Sequence, residues 1–198
     1  MAQRTWGASG AMTESYATAT NWHEGSVPVA NDEVTIGPTA TAITLNLDQS
    51  AVSLDTFEVQ EGAAAIAAAY GDLKIVTAAF RFKGSGTSYI DIGTSNITAY
   101  VDGTATPSDG YRGLYLIGSN IANLIITGGH VGLAYRRRET STSAVIRVAG
   151  SSTTFWGGEG ITCTTFEQSD GTNEIMFAAT NANVNGGTLT AKGSGAYT

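Results

Sequence analysis

Apolar side chains recur at every second position over short runs of this chain: Ile43, Leu45 and Leu47; Phe57 and Val59; Leu73 and Ile75; Phe80 and Phe82. The alternation returns at Ile90 and Ile92, at Leu114 and Leu116, from Val145 to Val148, and from Thr188 to Ala191. Successive side chains of a strand point to opposite faces, so each run predicts a strand with one buried and one wet face. Most runs end in glycine or a small polar cluster, as at Gln60-Glu61-Gly62, Ile117-Gly118-Ser119-Asn120, Thr127-Gly128-Gly129 and Asn185-Gly186-Gly187. Such clusters are turn chemistry, and helical spacing at i, i+3, i+4 and i+7 is nearly absent. The pattern predicts an all-β protein.

One segment departs from it. Gly62 to Gly71 is mostly alanine, the best helix former, yet a helix this short is marginal and glycines bracket it. A short helix and a strand or irregular segment both stay open.

The strand-then-glycine units recur at intervals of roughly 15–30 residues, within the range of solenoids and arrays. No literal repeat accompanies them. Sharp Gly-Gly and Gly-Ser-Gly corners with Thr, Ser and Asn between them suit a chain that stacks coil on coil. A short β-helix, or β-solenoid, buries its apolar face by that stacking and needs a cap against edge pairing at its end. A β-sandwich or jelly roll gives many of the same signals and remains the alternative.

Composition narrows the function classes. Charged residues make up 14% of the 198, against roughly 25% in an ordinary globular domain. The formal net charge is −7, so nucleic acid is not the expected partner, because binding it needs clustered Lys and Arg. The one basic run, Arg136-Arg137-Arg138 after Tyr135, reads either as a solvated loop or as a contact with an acidic neighbouring subunit. The single Cys163 cannot form an intrachain disulfide and reads as a small buried residue. No stretch approaches the ~20 apolar residues of a membrane helix, and Met1 to Trp6 lacks the apolar region of a signal peptide. Neither a membrane nor an export signal is expected.

Candidate chemistry is sparse. The chain has no nucleotide-binding glycine turn, no phosphate loop, no His-Glu-x-x-His and no paired Cys-x-x-Cys. His23 and His130 are far apart and read as surface or turn residues. Stacked coils would have to bring two carboxylates, such as Asp72 and Asp91 or Asp91 and Asp109, within ~5–9.5 Å to cleave a glycoside. Turn capping accounts for most acids instead, as in Ser108-Asp109-Gly110 and Ser169-Asp170-Gly171. No catalytic, cofactor or metal residue is expected.

The opening segment is the most specific signal. Trp6 followed by Thr20-Asn21-Trp22, Gly25, Val27-Pro28, Asp32 and Val34-Thr35-Ile36 resembles the W…NW..G.VP...D.V.I segment that opens many right-handed β-helices. Those proteins include bacteriophage surface proteins and bacterial autotransporter passengers. The resemblance covers about the first forty residues. It implies a capping or attachment segment over 1–37 ahead of a solenoid over 38–198. Trp22 would cover the apolar end of the first coil, and Pro28 would fix an extended approach. Asp32 would accept backbone hydrogen bonds at the turn before Val34.

The resemblance implies a non-enzymatic structural protein of a phage particle, a capsid decoration, cement, fibre or spike component assembled in the host cytoplasm. Its partners would be other virion proteins. The alternatives are a glycan- or receptor-binding tail spike module, including a polysaccharide depolymerase, and a fragment of a bacterial adhesin. Tyr111, Tyr115, Tyr135, Phe155 and Trp156 are the aromatics expected to stack on a sugar in the glycan-binding case. A homo-oligomer is expected, with three copies the arrangement the resemblance favours. Phe155 and Trp156, together with Arg136, Arg137 and Arg138, are the candidate subunit contact, because two large rings beside Gly157-Gly158 would form a sticky surface patch.

Overall fold

The computed structural model describes residues 1–7, 15–38, 42–44, 48–63, 65–66, 73–84, 87–93, 97–102, 113–134 and 140–192. These form a short right-handed β-helix of parallel strands. The chain opens with β1 (Gln3–Trp6), a 3-10 turn at Ala19–Asn21, β2 (Glu33–Ile36) and β3 (Asp48–Val59). It continues through β4 (Leu73–Phe82), β5 (Ser88–Asp91), β6 (Ile97–Asp102), β7 (Leu114–Ile117) and β8 (Ile121–Gly128). The last coils are β9 (His130–Leu133), β10 (Ser141–Val148), β11 (Thr154–Gly157), β12 (Ile161–Gln168), β13 (Thr172–Ile175), β14 (Ala179–Val184) and β15 (Thr188–Ala191).

Every strand pairing in the ladder is parallel, and the even strands β4 to β14 stack beside the odd strands β5 to β15. The coils shorten toward the C-terminus: Ser88 pairs with Leu114, whereas Thr172 pairs with Thr188. A sandwich or jelly roll would be built mainly from antiparallel pairs, so the coiled reading holds and the alternative falls. The alanine-rich segment is not a helix in its described part. Ala63 and Ile66 are buried, and Ile66 makes a parallel bridge to Ile43.

In-register stacking turns the alternation into continuous internal columns. One runs Val34, Phe57, Phe80, Ala99, Leu124, Ile146, Phe166 and Ala182. From Val34 to Phe166 every member is buried. The Phe57 and Phe80 rings stack in this column, 6.2 Å apart and nearly parallel. Phe166 meets Phe155 at 6.2 Å and Phe177 at 6.1 Å.

The long even strands are bent, which gives each coil three sides. In β10, Ser141 and Ser143 are buried and then Ile146 and Val148, so the inward phase slips by one residue. β12 repeats the slip with Ile161, Cys163, Phe166 and Gln168. The ladder pairs Ser143 with Cys163 and Val145 with Thr165, passing over Ala144 and Thr164 at the corner. An inward polar or thiol group serves the carbonyl that this corner turns aside. Ser143 donates to Val145 O at 3.0 Å, Cys163 to Thr165 O at 3.2 Å, and Thr77 to Ala79 O at 2.8 Å. Cys163 is therefore a corner residue, and burial pushes its thiol pKa up to about 11. That is the opposite of an activated nucleophile.

Glycine makes the next corner. Gly129, Gly171 and Gly187 precede register partners on β9, β13 and β15, and all have φ near +80° (81°, 88° and 76°). A Cβ on Gly187 would also meet the backbone of Gly171 and Asp170. Positive φ and a crowded neighbour together require glycine there.

One expectation about the surface fails in this frame. Phe155 is fully buried and packs on Phe166 inside the solenoid, so it is not a subunit contact. Its neighbour Trp156 faces outward and is half-buried. Adjacent strand residues point to opposite faces, so both rings cannot share a surface patch. Gly157 serves the interior, because a Cβ there would strike the Phe177 ring.

Removing one ring from the column tests the packing. Phe166→Ala should destabilise the fold by ~3–5 kcal/mol, the range for a large core truncation, read as a lower urea midpoint. An unchanged midpoint would contradict the stacked-column core.

Candidate functional site

The N-terminal end is the most elaborately built part of the molecule. Trp6 ends β1 pointing inward, and the chain returns so that Trp22 makes an antiparallel bridge to it. Trp6, Tyr16 and Trp22 form one buried aromatic cluster. Trp22 lies edge-on to Trp6 at 5.3 Å and to Tyr16 at 4.9 Å, while Trp6 and Tyr16 stack at 6.5 Å. Trp22 Nε1 donates to Tyr16 O at 2.9 Å, and Asn21 Nδ2 donates to Ser15 O at 2.9 Å. Three rings close the end of the internal columns, and the tight Asn21-Trp22 turn is held by side chains that are themselves buried.

The outer edge of β1 is covered at the same time. Thr5 O accepts from His23 N, Gly7 N donates to Asn21 O, and Thr5 N donates to Glu24 Oε2. An edge strand otherwise offers such groups to any passing strand. Here they are occupied.

Asp32 ties the two halves of this end together. Its carboxylate accepts from Arg4 Nε at 2.7 Å, from Ala2 N at 3.1 Å and from Val29 N at 3.1 Å. The Asp32 side chain is 4% exposed and the Arg4 side chain 16%. Burial alone would raise the Asp32 pKa. The Arg4 hydrogen bond, the Val29 and Ala2 amides and the Arg4 charge outweigh it and hold the pKa below the ordinary carboxylate value. Pro28 is buried just ahead of this turn. Strands β1 and β2 are already rungs of the ladder, since β2 pairs with both β1 and β3. The aromatic closure is thus continuous with the coil stack.

The other end differs. Strands β14 and β15 each have a strand neighbour on one side only among the described residues. From Ala179 to Ala191 no side chain is charged, and Val184, an inward position of the last coil, is 45% exposed. Among the described residues, nothing covers this end of the columns.

The remaining chemistry is dispersed. Asp91 accepts from Gly93 N at 2.8 Å, Asp170 from Gly171 N at 2.8 Å, and Asp48 from Ser50 N and Oγ. Glu167 pairs with Arg147 at 2.6 Å and Glu174 with Lys192 at 2.7 Å. Asp72 and Asp109, one member of each carboxylate pairing weighed from the sequence, lie outside the described residues. Among the described residues no cluster of three His, Cys, Asp or Glu is placed to hold a metal. His23 is exposed, while burial lowers the pKa of His130, whose ring lies 5.9 Å from Trp156.

Of the aromatics proposed to stack on a sugar, Tyr111 and Tyr135 lie outside the described residues, as do Arg136, Arg137 and Arg138. Tyr115 stacks on Tyr89 at 4.4 Å along an outer face. The most exposed Phe, Tyr or Trp among the described residues, Tyr100 at 46%, lies beside a hollow of about 280 Å³. Sequence reasoning also missed Tyr16 and Arg4. The alternation of Ala99 and Val101 places Tyr100 on the outer face, whereas nothing local marks Tyr16 as the third ring of the cap.

Compared with known protein families, curated proteins and solved structures, the chain matches none. Among the described residues, no helix is long and apolar enough to cross a membrane.

The closed end makes two measurable demands. Trp22→Ala should cost ~3–5 kcal/mol, as for a large buried ring, and an unchanged melting temperature would contradict its capping role. The folded pKa of Asp32 lies below its unfolded value of about 3.9. Its contribution is therefore present above that pH and is lost as pH falls through the folded value. Thermal stability should drop on acidification below about pH 4, and Asp32→Asn should flatten that drop. An identical acid slope in the variant would contradict the assignment.

Proposed function

We propose that the chain is a non-enzymatic structural module of a bacteriophage particle, displayed on its surface as a decoration, cement, fibre or spike component. The observation that carries this reading is the polarity of the rod. Its N-terminal end is sealed by Trp6, Tyr16 and Trp22 and by the buried Arg4–Asp32 pair, with the β1 edge covered. Among the described residues, the opposite end presents the uncharged edge strands β14 and β15. A sealed end prevents rods from adding there, and an open β edge suits strand addition by a neighbouring subunit. The similarity of the opening segment to those of phage β-helices supports the same reading. Asp91 and Asp170 serve turns, and Glu167 and Glu174 pair with Arg147 and Lys192, which favours a scaffold over a catalyst. In this reading the chain assembles as a homotrimer with other virion proteins in the host cytoplasm.

Mass spectrometry and immunogold labelling of purified particles test this reading. The chain should be found in the particle in multiples of three copies, with label on its surface. Its absence from purified particles would overturn the proposal.

A further inference from the structure

The outer face formed by β4, β6 and β8 carries a hollow that the structural role does not require. Register pairs Phe80 with Ala99, Arg81 with Tyr100 and Phe82 with Val101. Phe80, Phe82, Ala99 and Val101 are buried, so alternation turns Arg81, Lys83, Tyr100 and Asp102 outward together. The Arg81 guanidinium carbon sits 6.0 Å from the Tyr100 ring centroid. Lys83 Nζ lies 3.9 Å from Asp102 Oδ2, with both side chains 54% exposed. Thr127 of β8 closes the hollow, whose volume is about 280 Å³, near the lower limit for small-molecule sites.

Three features of this arrangement point to a ligand. Tyr100 leaves nearly half of its surface in water, although inward positions in its own strand are filled with apolar side chains. Among the described residues the Arg81 guanidinium makes no ion pair, and its planar fork of donors lies beside the Tyr100 ring. Lys83 and Asp102 add further donors and an acceptor on the same wall, with both side chains more than half exposed.

A flat apolar platform ringed by donors and acceptors matches a molecule with one less polar face and a rim of hydroxyls. A pyranose ring has that form. A nucleotide also stacks, but its phosphates would meet a chain of net charge −7 with only two cations at the site. A peptide strand needs a free sheet edge, and this face lies mid-ladder, with β6 paired on both sides. We propose that the hollow over Tyr100 binds a pyranose unit of a surface polysaccharide. Its less polar face lies on the Tyr100 ring, and its polar substituents bond to Arg81, Lys83 and Asp102. This binding role is independent of whether the chain belongs to a particle.

An array of bacterial surface oligosaccharides, some neutral and some bearing uronates, tests the site with the isolated protein. The wild type should retain at least one of them. Tyr100→Ala should weaken that binding by about ten-fold, the scale of one well-packed aromatic contact, at an unchanged melting temperature because the ring packs outside the core. Trp156→Ala, on another face, should leave it intact. If only uronate-bearing sugars bind, Arg81→Gln should abolish retention; if neutral sugars bind, it should weaken them less than Tyr100→Ala. No retention of any oligosaccharide by the wild type would overturn the proposal, as would retention unaffected by Tyr100→Ala or lost in Trp156→Ala.

Discussion

The structure depends on one constraint: no coil can bury its inner face except against the coils above and below it. A three-sided coil of this size encloses about one layer of side chains, so apolar burial is shared along the axis through the columns of Phe57, Phe80, Leu124, Ile146 and Phe166. Parallel register must therefore hold from coil to coil, because a slip by one residue would turn a whole inner face outward. The corner devices protect that register. Thr77, Ser143 and Cys163 each satisfy a displaced carbonyl at one corner, and Gly129, Gly171 and Gly187 supply positive φ at another.

The same constraint makes the two ends special. Among the described residues β1 has a strand neighbour on one side only, and the chain supplies a lid of three aromatic rings there. The second strand edge problem, unpaired backbone on β1, is met by the segment from Asn21 to Glu24. Among the described residues the last coil receives neither device. Its inward residues shrink to Ala182, Val184, Leu189 and Ala191, which lowers the apolar area left exposed without removing the open edge. A rod of this kind has a direction, and its two ends ask for different neighbours.

Much of the architecture was legible in the sequence because period-two alternation and glycine corners are local signals. Phe80-Arg81-Phe82 reads directly as in, out, in. The corners were harder, since the phase slip within Ser141–Val148 looks like broken alternation until the neighbouring coil fixes the register. Phe155 and Trp156 form one patch only if neighbours in sequence share a face, and strand geometry puts them on opposite faces. Trp22 and Asp32 stood out through the opening segment, but Arg4 and Tyr16 join them only through tertiary return of the chain. Tyr100 was readable from its own strand, while its hollow arises from three successive coils and had no sequence signature.

Native-state hydrogen exchange on the isolated chain, followed strand by strand, measures the coil-to-coil dependence most directly. Stability that is passed between neighbouring coils predicts the slowest exchange in β8, β10 and β12, which are paired on both sides and sit over filled columns. Exchange should be slow in β1 beneath its lid and fastest in β14 and β15. Protection of β14 and β15 equal to that of β10, or free exchange in β1, would contradict a solenoid sealed at one end and open at the other.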